Sequence, residues 1–186
     1  MRTSIRLYGK TFFSNIRYID KYIRGAQHLG NRHQDRLRFF KEFLNCCNNE
    51  NRKYLQVGVR DSKIGKNWIC VDLYDKSPLV DFNFDIRSLE FPDDMFDGIV
   101  CNAILEHVDD PARAIRELYR VLRPTGKIWV EVPLNQPYHP SPNDYWRVTP
   151  EGLRLWMRQF KEVSCGGFFI NNSAIYTGVY FYGIKP

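Results

Sequence analysis

The sequence predicts an α/β fold, a doubly wound and mostly parallel sheet with helices on its faces, and three observations lead there. From Tyr54 onward, short apolar runs alternate with longer polar or helical stretches, the rhythm of strands joined by crossovers. Runs such as Gly98-Ile99-Val100-Cys101 are continuously apolar rather than alternating, which suits strands covered on both sides. A chain of 186 residues, 44% hydrophobic and 15% aromatic, fills one core and not two.

Residues 1–50 read as a basic, aromatic N-terminal extension. Tyr8, Phe12, Phe13, Tyr18 and Tyr22 lie among basic residues with Gly25 and Gly30, the pattern of a loosely ordered arm or short helices. Leu37, Phe40 and Leu44 then recur at helical spacing, giving an amphipathic helix over about 34–45 placed to cap the sheet edge, which Asn48-Asn49-Glu50-Asn51 ends. Strands are expected at 54–57, 68–71, 80–84, 98–101 and 127–132.

Between the fourth and fifth of these, Asp110 is an N-cap and Pro111 suits the first helical position. Ala114, Ile115, Leu118, Tyr119 and Leu122 form an inward stripe opposite Arg113, Arg116, Glu117 and Arg120. Pro124-Thr125-Gly126 is expected to end that helix in a turn. Thr149-Pro150-Glu151 opens a second helix with Leu153, Trp156, Met157 and Phe160 facing inward, and strands near 162–169 and 175–184 close the sheet.

The charge is unevenly placed. Residues 1–50 hold ten Lys/Arg against four Asp/Glu, whereas 51–186 hold seventeen of each, so the net +6 lies in the extension. Such a segment is a solvated helical face or a contact for an anionic surface. No stretch is long and apolar enough to span a membrane, and the first 30 residues lack a signal-peptide core, so a cytoplasmic protein is expected. Five cysteines with no C-x-x-C pair fit reduced thiols, with Cys70 and Cys101 as buried strand residues.

The segment Phe91–Pro133 carries Leu105-Glu106-His107-Val108, Pro111, Glu117 and Arg120-Val121-Leu122-Arg123-Pro124. With this spacing, residues 53–160 resemble the type 11 group of class I S-adenosylmethionine-dependent methyltransferases. A second stretch, from His139 through Asp144-Tyr145-Trp146-Arg147 to Pro150, resembles a branch associated with glycan biosynthesis. The resemblance implies a methyltransferase-like domain over 51–186, a Rossmann-like sheet with an antiparallel C-terminal strand, and S-adenosylmethionine as cofactor. It also implies a small-molecule acceptor, possibly a sugar or glycan-pathway hydroxyl.

In such sheets ligands bind beyond the carboxyl ends of the strands at the switch point. The resemblance accordingly implies ribose contacts from Asp72 and Leu73, adenine contacts from Asp85 and the Ile86 backbone, and a pocket floor of Asn102 and Ala103, with His107 beside them. The family's Asp/Glu-x-Gly-x-Gly-x-Gly loop reads here Gln56-Val57-Gly58-Val59-Arg60-Asp61-Ser62. Gln56 stands where a carboxylate would grip the methionine amino group, and only Gly58 survives of the glycines. Nine residues separate Gly58 from Trp68, too few for a full crossover helix. Arg60 or Lys63 is then the expected partner for the ligand carboxylate.

For the reaction, His139 is the expected general base, Asp144 its orienting group, and Tyr138 and Arg147 the acceptor contacts, the last for a phosphate or carboxylate. A structural Asp144–Arg147 pair pinning the loop before the last helix, with Tyr145 and Trp146 as core, is the rival reading. Glu106-His107 also resembles the Glu-x-x-Glu-His that binds a divalent metal in some small-RNA and quinone-pathway O-methyltransferases, but Ala103 stands at the first Glu. With Glu106, His107 and His139 alone, a helix start that orients the pocket is the expectation and no metal is expected. A methyltransferase-like binding or regulatory protein is the alternative, because the glycine-rich loop is degenerate. A nucleic-acid methyltransferase is a further one, suggested by the basic arm although nothing in the chain reads bases.

Overall fold

The computed structural model of the protein describes residues 31–59, 62–169 and 177–186. The arm of residues 1–30, Arg60 and Asp61 of the degenerate loop, and the first two residues of the last expected strand lie outside the described residues.

Ten elements follow in order: α1 (Asn31–Cys46), β1 (Tyr54–Val57), β2 (Trp68–Val71), β3 (Phe96–Asn102), a 3-10 turn (Leu105–His107), α2 (Pro111–Val121), β4 (Leu122–Pro133), α3 (Pro150–Trp156), β5 (Lys161–Phe168) and β6 (Gly178–Ile184). The sheet runs β2-β1-β3-β4-β6-β5. Its first four strands are parallel, and β6 runs antiparallel to both β4 and β5. This is the Rossmann-like arrangement expected, mostly parallel with an antiparallel C-terminal closure.

Helix α2 forms as its signals dictate: Asp110 accepts the Arg113 N–H and Pro111 takes the first turn. Thr149 does the same for α3 by accepting the Gly152 N–H. After α2 the chain enters β4 at Leu122, so Pro124-Thr125-Gly126 lies in the strand and not in a separate turn, with Thr125 at φ 64°. The expected strand at 80–84 does not form a ladder; it meets β2 at one bridge, Val71 with Phe82. Backbone bonds from Asp81 and Phe82 to the Cys70 carbonyl and from Asp72 to the Phe82 carbonyl make that join, and polar side chains add to it. Asp81 accepts the Cys70 N–H at 2.7 Å, and Asn83 Nδ2 donates to the carbonyls of Asp72 and Asp75.

Alternation along the strands sends side chains to two cores. Leu55, Ile99, Ile128, Val130 and Val132 pack with Ala114, Ile115 and Leu118 of α2 and Leu153 of α3. Tyr54, Trp68, Val100, Trp129, Tyr180 and Tyr182 face the other way, against Phe40, Phe43 and Leu44 of α1. Helix α1 therefore lies on a face of the sheet rather than capping its edge. The Phe43 ring sits 6.4, 6.2 and 5.8 Å from those of Trp68, Trp129 and Tyr182. Among the described residues no helix is long and apolar enough to cross a membrane.

One polar contact is sealed inside that second core. Arg36 donates twice to the Glu131 carboxylate at 2.8 Å, Trp129 Nε1 adds a third bond at 3.0 Å, and the guanidinium lies 4.3 Å over the Phe168 ring. Arg36 and Glu131 are 4% and 7% exposed, so removing Glu131 takes a two-oxygen anionic partner from a buried guanidinium. Glu131→Ala is expected to cost about 3–5 kcal/mol in urea denaturation, while Arg36→Met with Glu131→Leu recovers most of it. If the double variant is no more stable than the single, the charges hold α1 by more than their mutual compensation.

Candidate functional site

A cavity of about 630 Å³ opens beyond the carboxyl ends of β1, β2 and β3. It lies where the order reverses, since the chain moves from β1 outward to β2 and returns past β1 to β3. Val57, Gly58 and Val59 supply one wall, Asp72, Leu73, Tyr74 and Asp75 the next, and Phe84 to Arg87 a third. Asn102, Ala103, Ile104 and His107 follow, with Asp109, His139, Ser141, Asn143 and Tyr145 completing the lining.

Of the expected site residues, Gly58, Asp72, Leu73, Asp85, Ile86, Asn102, Ala103, His107 and His139 line this cavity. Asp72 is fixed by an Asx turn: its Oδ1 accepts the N–H groups of Tyr74 and Asp75, both at 2.9 Å. Ala103 turns the chain in the left-handed region at φ 53°, a conformation that costs a residue with a Cβ about 1 kcal/mol or more. That bend ends β3 and starts the Leu105–His107 turn. Gly58, at φ 79°, leaves no room for a side chain because Ile104 occupies the place of a Cβ.

Gln56 is elsewhere. It is 2% exposed, does not line the cavity, and has its amide spent on the short crossover. Oε1 accepts the Ile64 N–H at 3.0 Å, while Nε2 donates to the carbonyls of Ser62 at 3.1 Å and Gly58 at 3.3 Å. A carboxylate could take the first bond and neither of the others, so an amide is the side chain this loop needs. Among the described residues of the crossover none is helical. Lys63 is engaged too, pairing with Asp81 at 2.6 Å, and Arg60 lies outside the described residues.

Asp85 is held by Arg87, whose Nε and terminal nitrogen donate to it at 3.0 and 2.6 Å and whose backbone N–H adds a bond at 2.8 Å. Those hydrogen bonds hold the Asp85 carboxyl below the usual carboxylate range. The other end of Arg87 binds Asp109, so the guanidinium bridges two walls of the cavity. Arg87 and Asp109 carried no sequence signal, and Tyr145 and Trp146, core residues in the reading that pairs Asp144 with Arg147, are 49% and 38% exposed, Tyr145 lining the cavity. An Asp85-x-Arg87 pair is only visible as a bridge once Asp109 is brought to it. With Asp72, Asp75, Asp85 and Asp109 against one guanidinium, the lining favours a ligand that carries positive charge.

The loop after β4 is organised by Arg147 and Asp144, and neither lines the cavity. Arg147 binds both Asp144 oxygens at 2.6 and 2.7 Å and donates to the carbonyls of Gln136 and Pro137. Hydrogen bonds from Arg147 keep Asp144 ionised well below the ordinary range. A depressed folded value means that this clasp is present above the unfolded carboxylate pKa and is lost only in strong acid. Asp144 orients His139 through the backbone, accepting its N–H at 2.7 Å; the His139 Nδ1 instead meets the Pro137 carbonyl at 2.8 Å. Tyr138 is 75% exposed and outside the lining. The loop is sutured to the 3-10 turn by Tyr145 N–H to the Glu106 carbonyl at 2.7 Å and by His107 Nδ1 to the Asn143 carbonyl at 2.5 Å.

Residues 45–130 match the family model described as a methyltransferase domain. Among curated proteins, the ubiquinone/menaquinone biosynthesis C-methyltransferase UbiE of Proteus mirabilis is 48% identical over 44 residues, 24% of this chain and 18% of that protein. The tRNA U34 carboxymethyltransferase of Sulfurimonas denitrificans is 28% identical over 130 residues, 59% of this chain and 44% of that one. This chain thus aligns with less than half of either relative. Among solved structures, the Burkholderia thailandensis 1,6-didemethyltoxoflavin-N1-methyltransferase, crystallised with S-adenosylhomocysteine, superposes with a TM-score of 0.61 at 14% identity, covering 98% of this chain and 93% of its own. The [4+2]-cyclase SpnF superposes at 0.60 and 16% identity, covering 100% and 99%. The fold is that of the class I methyltransferases.

Gln56→Glu, which restores the acid of the family pattern, is expected to destabilise the protein by about 2 kcal/mol, since a buried carboxylate would then face two carbonyls. Urea denaturation measures it. A change within ~0.5 kcal/mol, the range of an ordinary surface substitution, would show that the amide does not hold the crossover.

Proposed function

We propose that the protein transfers a methyl group from S-adenosylmethionine to a nucleophile on a small molecule, with a sugar or other glycan-pathway hydroxyl as the acceptor class. The observation that carries this reading is the cavity itself: an acidic pocket at the switch point with Asp72 on one wall and two histidines on another. Bound S-adenosylmethionine supplies a methyl on a sulfonium, open to in-line attack by an aligned nucleophile.

The chain's own residues divide the remaining work. Asp72, oriented by its Asx turn, is placed to accept from the ribose hydroxyls, and the acidic lining suits the ligand's sulfonium and ammonium charges. Asp85 reaches an adenine amino group only by sharing a carboxylate already bound to Arg87, and the Ile86 backbone lies beside it. At the acceptor end, the Nδ1–H of His139 is given to Pro137, which leaves Nε2 as the proton acceptor for a hydroxyl.

A second reading, a protein of this fold that binds a ligand without turnover, is favoured by Gln56, whose amide is committed to the loop. The tRNA-modifying relative raises a nucleic-acid acceptor. The acidic lining disfavours a polyanion at this cavity.

Calorimetric titration with S-adenosylmethionine and S-adenosylhomocysteine tests the proposal. Binding by the wild-type protein and at least ten-fold weaker binding by Asp72→Ala are expected, the loss of one charge-assisted hydrogen bond being worth about 1.5 kcal/mol or more. Absence of heat at millimolar ligand would sink the cofactor assignment and with it the methyl-transfer reading.

A further inference from the structure

The 3-10 turn and the loop after β4 meet at the cavity and bring together the three residues that, as a sequence pattern, were too few ligands to predict a metal. Glu106, His107 and His139 each bring one donor atom within 4.8 Å of the others. Both imidazole Nε2 atoms approach the same carboxylate oxygen, Glu106 Oε1, at 3.8 Å from His107 and 3.9 Å from His139. The two rings stand perpendicular, with centroids 5.2 Å apart. Both histidines line the cavity, and the Glu106 carboxylate behind them is buried.

The far side of each ring is tied down in the same way. His107 Nδ1 meets the Asn143 carbonyl at 2.5 Å, and His139 Nδ1 meets the Pro137 carbonyl at 2.8 Å. A carbonyl only accepts, so His107 Nδ1 carries the proton and its Nε2 presents a lone pair toward Glu106. At His139 the shorter contact, to the Pro137 carbonyl at 2.8 Å against 3.3 Å to the Arg147 guanidinium, favours the same tautomer. A ring donating one N–H to a backbone carbonyl while its other nitrogen is turned inward is the arrangement that fixes a metal-bound histidine. The positive charge of Arg147, 3.3 Å from His139 Nδ1, is offset by Asp144 on the opposite side from Nε2.

We propose that Glu106, His107 and His139 form a binding site for a first-row divalent transition-metal ion at the acceptor end of the cavity. Two imidazoles and one carboxylate favour zinc, cobalt, manganese or iron over magnesium and calcium, which prefer all-oxygen shells. Metal–ligand bonds of about 2.1 Å place neighbouring donors roughly 3.0–3.4 Å apart, so the observed 3.8 and 3.9 Å to Glu106, and a separation of the two histidine donors within 4.8 Å, close with side-chain shifts of about 1 Å. Three protein ligands leave coordination positions toward the cavity. An acceptor with two adjacent oxygens, a vicinal diol or a hydroxy acid, fits them. With an ion bound, His139 Nε2 would be a ligand and no longer the proton acceptor named above; the ion would acidify the acceptor hydroxyl instead, and its proton would pass to solvent. The acceptor assignment rests on the methyl-transfer reading; the metal site does not.

Chelator-treated full chain is titrated with Co²⁺ and followed by visible absorption and calorimetry. One equivalent is expected to bind with a cobalt–imidazole spectrum, His107→Gln and His139→Gln each weakening it at least ten-fold. Cys46→Ser, which removes an exposed thiol, leaves it unchanged. Full affinity in either histidine variant, or loss in Cys46→Ser, overturns the site. On the wild type, imidazole-nitrogen NMR with Zn²⁺ is expected to move the Nε2 signals of two of the four histidines while their Nδ1–H signals persist; no movement is equally fatal and does not depend on a variant that folds. Asp72→Ala separates the two readings, because it is expected to lose S-adenosylmethionine and keep Co²⁺.

Discussion

Two parallel strands joined by only ten residues must satisfy the crossover's backbone without a helix to do it, and the rest of this site depends on how that is solved. The solution is one amide. Gln56, at the centre of β1, reaches forward to Gly58, Ser62 and Ile64 and so holds the crossover against the strand it leaves. Because the crossover is held, β2 pairs with β1 in register through Val57 and Val71. Asp72 then emerges beside Gly58 at the cavity mouth. The residue that looks like a damaged ligand contact is, in this chain, the piece that makes the pocket's first wall possible.

Much of the framework was legible because its signals are local. Asp110-Pro111 and Thr149-Pro150 fix helix starts through bonds spanning three residues, and both caps form as read. Continuous apolar runs located β1, β2 and the centre of β3 because parallel strands buried on both faces leave no other composition. The segment 80–84 misled for the same reason in reverse. Its Val80, Phe82 and Phe84 alternate like a strand, but Asp81 and Asn83 take ladder positions with their side chains, and Phe82, Phe84 and Phe91 pack as an aromatic group instead.

The site was legible only in part, because its geometry is made by contacts between distant segments. Asp72 follows β2 and Asn102 ends β3, so both could be placed by their strands, whereas Asp85 was placed by the resemblance alone, because the strand expected before it does not form. The roles of Asp144 and Arg147 could not, since a loop clasp and a substrate contact use the same residue types, and only the bonds to Gln136 and Pro137 separate them. Arg87 and Asp109 lie 22 residues apart and meet only in three dimensions. The fold does not choose among chemistries on its own account: solved structures of a cyclase and of an N-methyltransferase superpose on this chain almost equally well. What distinguishes this protein is therefore carried by side chains such as Gln56, Arg87 and the Glu106 group.

Arg87 also has a mechanical meaning. Its guanidinium spans from the loop after β2, through Asp85, to the segment entering α2, through Asp109, and Arg113 adds a bond to the Arg87 carbonyl. The two rims of the cavity are thereby yoked, since Asp85 and Asp109 share one guanidinium. That yoke ties the loop after β2 to the start of α2, the helix that continues directly into the central strand β4.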